Sequence, residues 1–483
     1  QSVMNAKLSH FSELSNFLSE KSSICNDFLS LLDRFKLGQS LRKLKMEKEK
    51  GASALDLLKY LLIFRLFGQN IHQSLHHQFS PFIEGGKNQF YRFLTRPKMD
   101  WRRLLYRTVK SFFRIVSENS TDANQERYFI LDDTMIEKSG ISMEGISRVY
   151  DHVAQKCALG YKLLLLAITD TKSTLPLEFS LHAEAGRKKD FGLTKKQLKD
   201  RFTKKRSNDD CMKKRADELL KEKPDIAIEM LRRAVKNGYV AKYFLFDKWF
   251  FGEDFIKKVR SIKDGAIHVI TLLRNKTTGF MVNGKRISAK VLIQKQERIG
   301  FKTCRQYKSH YARIKAEYNG IPVQLFIIRY GRSSKYEVMV TTDMKLSFKD
   351  AFERYQIRWN IEVLFYECKQ HLELGRCQST DLNAQIADCT LAFIGYTVIS
   401  LHKRFSDYET FGELFRDIKE GLLELTFIER LLPIIAELLE KIASLFDSTL
   451  DDLLERAMAD EETRQDLERI LRCDQDFKKQ PMD

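Results

Sequence analysis

Five short apolar runs, each bounded by turn-forming residues, are the feature of this sequence that most constrains its fold. Their length and their content of branched and aromatic residues are typical of buried β-strands. Between the third and fourth runs, apolar residues recur at helical spacing over residues 226–237. This alternation of strands with a helix indicates an α/β core. The five runs are residues 128–131, 162–169, 177–182, 243–246 and 266–273.

Residues 276–345, which follow the fifth run, have the pattern of an all-β segment. Asn283-Gly284 and Asn319-Gly320 each separate two strand-like runs. Asn-Gly favours the tight turn of a β-hairpin, because both central positions of that turn need a positive φ. We therefore expect a β-rich insertion between the fifth strand and the helix that follows Ser347.

Both ends of the chain have helical patterns. Leucines recur at helical spacing within residues 54–67, and residues 411–471 are again helical in pattern and rich in acidic side chains. Residues 101–116 combine basic and apolar side chains at helical spacing. That combination fits either an amphipathic core helix or a helix that contacts DNA.

The charge of this 483-residue chain is uneven along its length. The formal net charge is +18; residues 405–483 contain 10 Lys and Arg against 21 Asp and Glu, which is −11, so residues 1–404 carry about +29. A basic body of this kind suggests a polyanionic partner, although a merely soluble basic protein has the same composition. Residues 187–223 contain 15 Lys and Arg against 7 Asp and Glu, which predicts a solvated loop that attracts phosphate.

Three further observations bear on the class of protein. The sequence contains no P-loop and no Gly-x-Gly-x-x-Gly motif, so we expect no ATP-driven step. Its 8 cysteines are scattered without a Cys-x-x-Cys pair, which favours reduced thiols. The longest apolar run, residues 163–168, is too short to span a membrane, and no signal-peptide pattern precedes it. We therefore expect a cytoplasmic protein that has no membrane partner.

Three acidic residues are candidates for a metal site. Asp132 ends the first apolar run, Asp247 ends the fourth, and Glu362 lies in a late helix. In open α/β sheets, ligands bind at the edge where the carboxyl ends of the strands meet. Mg²⁺ prefers oxygen ligands, and two such ions can serve an in-line displacement at phosphorus. Each aspartate could instead cap a helix or form a turn, and Asp133 competes with Asp132 for the same role.

The helix that contains Glu362 is the most specific part of this pattern. At about 100° per residue, one face carries aromatic, basic and acidic side chains, and the opposite face is aliphatic. Arg and Lys can bind phosphate, and aromatic rings can stack on bases. A surface helix with an Arg358–Glu362 ion pair is the alternative. The first face consists of Tyr355, Arg358, Trp359, Glu362, Tyr366 and Lys369, and the second of Ile357, Ile361, Leu364, Cys368 and Leu372.

With these residues the chain resembles bacterial insertion-sequence transposases that share an RNase H-like DDE core and carry a YREK signature. The signature Tyr-x₂-Arg-x₃-Glu-x₆-Lys is matched at every spacing by Tyr355, Arg358, Glu362 and Lys369. The segment Asp132-Asp133-Thr134 resembles the first-aspartate motif of the family, which favours Asp132 over Asp133. Residues 247–255 resemble the second, and the resemblance covers roughly residues 125–380.

The resemblance implies a set of residue roles. Asp132, Asp247 and Glu362 are expected to be catalytic and to hold two Mg²⁺ ions, for which Mn²⁺ can substitute. The DNA at the transposon ends is expected to contact a further set of side chains. Trp359 joins that set only by its position on the helix. The set is Tyr355, Arg358, Trp359 and Lys369.

The resemblance also implies a fold and an activity. The fold is an RNase H-like α/β core, interrupted by the β-rich insertion and flanked by helical regions. The activity is cut-and-paste transposition: a homodimer cleaves DNA at inverted repeats and transfers the strands into target DNA, in a bacterial cytoplasm and near the nucleoid. A standalone RNase H-like nuclease and a transposase-derived DNA-binding regulator are the alternatives.

The expected domains are a helical DNA-binding region (1–120), the first part of the core (121–275), the insertion (276–345), the second part of the core (346–400) and an acidic helical region for dimerisation (401–483).

Overall fold

The computed structural model describes residues 31–48, 50–77, 86–119, 125–151 and 154–420, together with residues 441 and 449. The chain divides into two compact units, one formed by residues 35–68 and 87–407 and the other by residues 1–34, 69–86 and 408–483. In the second unit the described helical residues are 31–34, Ile71–His77, 411–420 and 441. Most of the predicted acidic region 401–483 lies outside the described residues.

The first unit is built on one mixed sheet of twelve strands. The main path through the sheet is β2-β3-β1-β5-β6-β12-β11-β10-β7-β8, with β4 paired to β3 and β9 paired to β10. The strands are β1 (Tyr128–Glu137), β2 (Ser147–Asp151), β3 (Lys156–Thr169), β4 (Thr174–His182), β5 (Tyr243–Phe246), β6 (His268–Leu272), β7 (Gly279–Val282), β8 (Lys285–Ser288), β9 (Lys302–Cys304), β10 (Ser309–Tyr318), β11 (Ile321–Tyr330) and β12 (Tyr336–Thr341).

Helices of the first unit pack on this sheet and connect its strands, whereas Ile71–His77, numbered α3 here, belongs to the second unit. The helices of the described residues are α1 (Leu37–Lys43), α2 (Ala54–Leu66), α3 (Ile71–His77), α4 (Asn88–Thr95), α5 (Trp101–Asn119), α6 (Lys195–Asp200), α7 (Lys213–Glu218), α8 (Lys223–Lys236), α9 (Glu253–Arg260), α10 (Ala289–Ile299), α11 (Phe348–Gln356), α12 (Asn360–His371) and α13 (Leu382–Arg404). All nine residues of β4 are buried, and β4 contacts α5, α7, α8, α12 and α13. The sheet is therefore covered around β4, as the continuous apolar run of that strand requires.

The five predicted apolar runs form neighbouring strands of the sheet, in the order β4-β3-β1-β5-β6. β1 pairs antiparallel with β3 and parallel with β5, and β5 pairs parallel with β6. Strand β4 lies antiparallel on the far side of β3. The predicted α/β fold class is confirmed, and this order of strands is consistent with an RNase H-like core flanked by helices.

Strand β1 is longer than its apolar run predicted. It was expected to end at Asp132 but continues to Glu137. The parallel partner β5 ends opposite Leu131, whereas the antiparallel partner β3 continues to pair as far as Glu137. Asp132 and Asp133 therefore lie inside a strand because β1 still pairs with β3 at these positions.

The insertion is β-rich, but the prediction of an all-β pattern was wrong. Strands β7 to β12 extend the central sheet through the antiparallel pairing of β12 with β6, and the 11-residue helix α10 lies among them. The side chain of Ser288 caps this helix by accepting from the backbone N of Val291. Both Asn-Gly turns do form hairpins, with φ of 49° at Asn283 and at Asn319.

The late helix is interrupted, contrary to the single helix that its spacing predicted. Helix α11 ends at Gln356, a 3₁₀ turn spans Ile357–Trp359, and α12 then ends at His371 rather than past Leu374. The end is abrupt because Glu373 adopts a left-handed φ of 53°, which a helix cannot continue through. The aliphatic face is buried as expected at Ile361, Leu364, Cys368 and Leu372, while Ile357 is only half-buried.

Helix α5 is a core helix, which is one of the two alternatives for residues 101–116. It packs on β4 and α13, and its apolar face is buried. The Arg102 guanidinium pairs with Glu178 at 2.9 Å and with Glu218 at 2.6 Å, and the Tyr106 hydroxyl donates to Glu178 at 2.5 Å. These buried charges are paired, which is the condition under which a protein interior tolerates them.

Helix α13 passes through the middle of the helical layer. By length and composition this 23-residue helix could cross a membrane, but 89% of its apolar window is buried inside the protein. It contacts α2, α4, α5 and β4. Its apolar surface is thus buried against other helices and the sheet.

The basic segment 187–223 is largely exposed to solvent, as its charge predicted, but it is not a loop throughout and Arg206 is an exception. It contains α6 and α7, and the side chain of Arg206 is only 4% exposed. Arg206 donates two hydrogen bonds to Glu144, at 2.6 and 2.8 Å. The fully buried Glu144 carboxylate also accepts from the backbone N atoms of Lys204 and Leu382. This carboxylate joins the basic segment to the start of α13.

Replacing Glu144 with Ala should lower the free energy of unfolding by about 3 to 5 kcal/mol, because a buried guanidinium would lose its carboxylate. Chemical denaturation measures the loss. Glu118→Ala is the matched control, since Glu118 is 54% exposed in its pair with Arg114 and such surface pairs contribute at most about 1 kcal/mol. Equal losses in the two variants would contradict this account of the segment.

Candidate active site

The parallel pairing of β1 with β5 places the first two predicted aspartates. The last paired residues are Leu131 and Phe246, so Asp132 and Asp247 each come one residue beyond the parallel ladder. Asp247 has extended backbone and caps the 3₁₀ turn that follows, accepting from the Trp249 N atom at 2.8 Å. Both carboxylates therefore lie at the same edge of the sheet.

A pocket of about 370 Å³ lies at this edge. It contains three carboxylates and four basic side chains, and Asp132 and Asp247 are both in its wall. Such a mixture of charges favours a polar or ionic ligand over an apolar one. The lining residues are Asp132, Asp133, Lys162, Lys223, Asp247, Lys248, Trp249, Phe250 and Arg274.

The third predicted carboxylate, Glu362, is linked to Asp132 through Arg358. The Arg358 guanidinium donates to Asp132 Oδ2 at 2.6 Å and to Glu362 Oε1 at 2.7 Å. The Arg358 side chain is 13% exposed, so this interaction is largely shielded from water. Glu362 does not line the pocket. Its connection to Asp132 is the Arg358 guanidinium, which binds both carboxylates.

Burial raises the pKa of Asp132 to about 7, against the opposing effect of the Arg358 charge. The negative charge of Asp247 also raises it. A carboxylate removed from water and placed near another carboxylate is costly to ionise, so a cation is needed beside it. Arg358 supplies that positive charge in this structure.

Asp133 has different partners from its neighbour. Its carboxylate forms an ion pair with Lys223, and Lys162 Nζ lies 4.0 Å from its Oδ1. Both Asp132 and Asp133 line the pocket, and the Asp133 backbone N donates to Asp132 Oδ1 at 2.8 Å. The two adjacent aspartates thus differ in their partners: Asp132 pairs with an arginine, and Asp133 lies against two lysines.

The remaining signature residues also lie along β1. Lys369 Nζ donates to Thr134 Oγ1 at 2.7 Å, and burial lowers the pKa of Lys369. The Tyr355 ring lies with its centroid 5.9 Å from the Arg358 guanidinium carbon, and burial raises the pKa of its hydroxyl. The side chain of Trp359, by contrast, is 61% exposed. Arg358 and Lys369 therefore contact side chains of β1, Tyr355 lies near Arg358, and Trp359 faces solvent.

None of the four basic residues of the pocket was predicted as a site residue from the sequence. Lys162 is in β3, Lys223 begins α8, Lys248 directly follows Asp247, and Arg274 follows β6 by two residues. The rule that placed the two aspartates could have found Lys248 and Arg274, because both follow strands of the parallel set. Lys223 was included only in the basic segment 187–223, and Lys162 had no signal of either kind.

The donor atoms of this site fit a hard divalent cation in kind, since carboxylate oxygens are the ligands that Mg²⁺ prefers. Among the residues that the structure describes, however, no three His, Cys, Asp or Glu side chains lie close enough to hold one ion together. Arg358 lies between the first and third carboxylates. The site therefore offers carboxylate oxygens whose negative charge is balanced by basic side chains.

Comparison with known families is consistent with this geometry. The family described as DDE superfamily endonuclease matches residues 80–291, and the family described as transposase DDE domain matches residues 222–398. These matches support a DDE transposase family for this chain. Asp132 and Asp247 lie within the first match, and Asp247 and Glu362 lie within the second. No curated protein matches the chain.

DDE endonuclease and transposase domains of the kind matched here indicate a nuclease-type enzyme with a DNA substrate. Domains of this kind typically use divalent metal ions, which agrees with the oxygen donors at the edge of the sheet. The basic side chains of the pocket agree with a phosphate-containing substrate.

Replacing Thr134 with Val should lower the free energy of unfolding by about 1.5 kcal/mol, because the half-buried Lys369 ammonium would lose its hydroxyl acceptor. Thr95→Val is the control, since the Thr95 hydroxyl only donates to the Tyr91 carbonyl within its own helix. Chemical denaturation of both variants measures the difference. If the two variants lose the same free energy, Lys369 is not held against β1.

Proposed function

We propose that this chain is a cut-and-paste DNA transposase that cleaves the inverted repeats at transposon ends and transfers the released 3′ ends into target DNA. One observation carries the proposal: Asp132 and Asp247 follow the parallel ladder at one edge, and Arg358 joins Glu362 to Asp132. The spacing of the signature residues 355, 358, 362 and 369 supports the same reading.

In this proposal Asp132, Asp247 and Glu362 are the catalytic residues and would hold two Mg²⁺ ions, or Mn²⁺ in their place. Bound ions of this kind supply Lewis acidity, an activated water or 3′ hydroxyl, and stabilisation of the leaving oxygen. The contribution of the chain is to hold these carboxylates partly shielded from solvent, next to the positive charge of Arg358. All three carboxylates can share bound metal only when Arg358 exchanges at least one of its two carboxylate partners.

The substrate phosphates provide a natural partner for that exchange. A guanidinium has five donors in a planar fork that matches the oxygens of a phosphate. Arg358 is proposed to contact the transposon-end DNA, together with Tyr355 and Lys369, and the exposed Trp359 ring is available to the same DNA. DNA would then compete with the carboxylates for Arg358 and leave their oxygens to metal.

The proposal extends to the organisation of the protein. The helical region 1–120 would contribute to DNA binding, and residues 276–345 would form the insertion between the two parts of the core, 121–275 and 346–400. The acidic region 401–483 would serve dimerisation, because paired transposon ends suit a homodimer. The protein would act in a bacterial cytoplasm at the nucleoid, without ATP.

Asp247→Asn and Glu362→Gln should each abolish Mg²⁺-dependent strand cleavage while leaving binding to transposon ends largely intact, because each removes a charged metal ligand and little volume. Cleavage of labelled duplex and a gel-shift assay measure the two properties. Asp254→Asn, at the exposed start of α9, is the control carboxylate and should cleave normally. Cleavage near the wild-type rate by either site variant would refute the assignment.

Strand transfer into a target plasmid tests the choice of a transposase over a nuclease. Wild-type protein should join a cleaved end to the plasmid, and a standalone RNase H-like nuclease would cut without joining. A transposase-derived regulator would bind the same ends and neither cut nor join. Either of those outcomes would replace the proposal.

Arg358→Ala should weaken binding to transposon ends and reduce the slope of log K against log salt by about 0.9, the value for one phosphate contact on duplex DNA. Binding titrations at several salt concentrations give the slope. Arg298→Ala, in helix α10 of the insertion, is the control for loss of one positive charge outside the pocket. An unchanged slope together with an unchanged cleavage rate would show that Arg358 serves the carboxylates alone.

A further inference from the structure

Lys223 is a basic residue of the pocket that the proposed catalytic scheme does not use. It is the first residue of α8, and its side chain is only 14% exposed. Its ammonium group forms an ion pair with Asp133 and lies 4.3 Å from the centroid of the Trp249 ring. It lines the same pocket as Asp132 and Asp247. A lysine is therefore held inside the proposed active site from two sides.

The two contacts leave Lys223 able to bind a third group. An ammonium has three donor protons, of which Asp133 engages one side, while the ring attracts the cation through its π-face. Fixing the side chain in advance reduces the conformational entropy that a new contact would cost. A ligand oxygen in the pocket would thus meet a donor that is already ordered.

The charges of the pocket indicate that this ligand is an anion. Asp132, Asp133 and Asp247 contribute three negative charges, and the basic side chains contribute four positive ones. Outside the lining set, the positive charge of Arg358 is balanced by Glu362, with which it also pairs, so the excess of one positive charge among the lining residues remains. The basic members are Lys162, Lys223, Lys248 and Arg274.

We propose that Lys223 binds a backbone phosphate of the DNA strand that enters the pocket, and that Asp133 and Trp249 are positioning residues that hold its ammonium there. This inference rests on the proposed function, because it takes DNA as the substrate. It also assigns Asp133 to Lys223 rather than to metal, which leaves Asp132 as the ligand contributed by β1.

Lys223→Gln tests the phosphate contact through the salt dependence of binding to a duplex transposon end, measured in the presence of EDTA. The slope of log K against log salt should decrease by about 0.9, since one phosphate contact is lost. Lys223→Arg should keep the wild-type slope, because it retains the charge. Lys221→Gln is the matched control: its side chain is 51% exposed, pairs with Glu229 and lies outside this pocket.

The double variant Asp133→Asn with Lys223→Gln separates a phosphate contact from simple neutralisation of Asp133. It removes both charges of the pair but leaves Lys162 without the Asp133 carboxylate, so circular dichroism and thermal unfolding first establish that the variant is folded. If Lys223 binds phosphate, the double variant keeps the reduced slope of Lys223→Gln. Recovery of the wild-type slope by the double variant, or an unchanged slope in Lys223→Gln, overturns the proposal.

Metal-dependent cleavage by the same wild-type preparation distinguishes this inference from the proposed function. If the wild-type protein fails to cleave while Lys223→Gln still reduces the slope, the catalytic proposal fails and the DNA contact stands. If the wild-type protein cleaves and the slope is unchanged in Lys223→Gln, only the role of Lys223 fails.

Discussion

The parallel pairing of β1 with β5 ends at Leu131 and Phe246, and the next residue of each strand is an aspartate. Because paired parallel strands keep a constant register, the two carboxylates must lie at one edge of the sheet. β1 then continues along β3 without its parallel neighbour, which leaves Asp132 and Asp133 without a strand on the side of β5. The pocket between these elements is a consequence of this unequal pairing.

The grouping of carboxylates in turn requires positive charge. Ionised carboxylates that are close together and removed from water repel each other, as the raised pKa of Asp132 reflects. The chain supplies an arginine to Asp132 and Glu362, and lysines to Asp133. The same cations suit a phosphate, so in the proposed function a DNA strand would take over partners that the carboxylates hold without it. Under that proposal, binding of substrate and exposure of carboxylate oxygens to metal would be linked through shared basic side chains.

Sequence patterns predicted the elements of the core well where one strong periodic signal decided them. All five apolar runs became strands of the sheet, and both Asn-Gly pairs became hairpin turns. The patterns failed where pairing or packing at long range decided the outcome. Examples are the extension of β1, the interruption of the late helix at Ile357–Trp359, and the burial of Arg206 on Glu144. The composition of the segment predicted that Arg206 is solvated, because its partner Glu144 is 62 residues away in sequence and gives no local signal.

The sequence by itself determined the α/β class and the positions of the acidic candidates, since apolar periodicity and the residue after each strand are local properties. The spacing of Tyr355, Arg358, Glu362 and Lys369 likewise belongs to one short segment. Only the tertiary structure decided which cation meets which carboxylate. Arg358 and Asp132 are 226 residues apart, and Lys223 and Asp133 are 90 apart. No local preference of the chain relates such residues; the sheet and the helices packed on it bring them together.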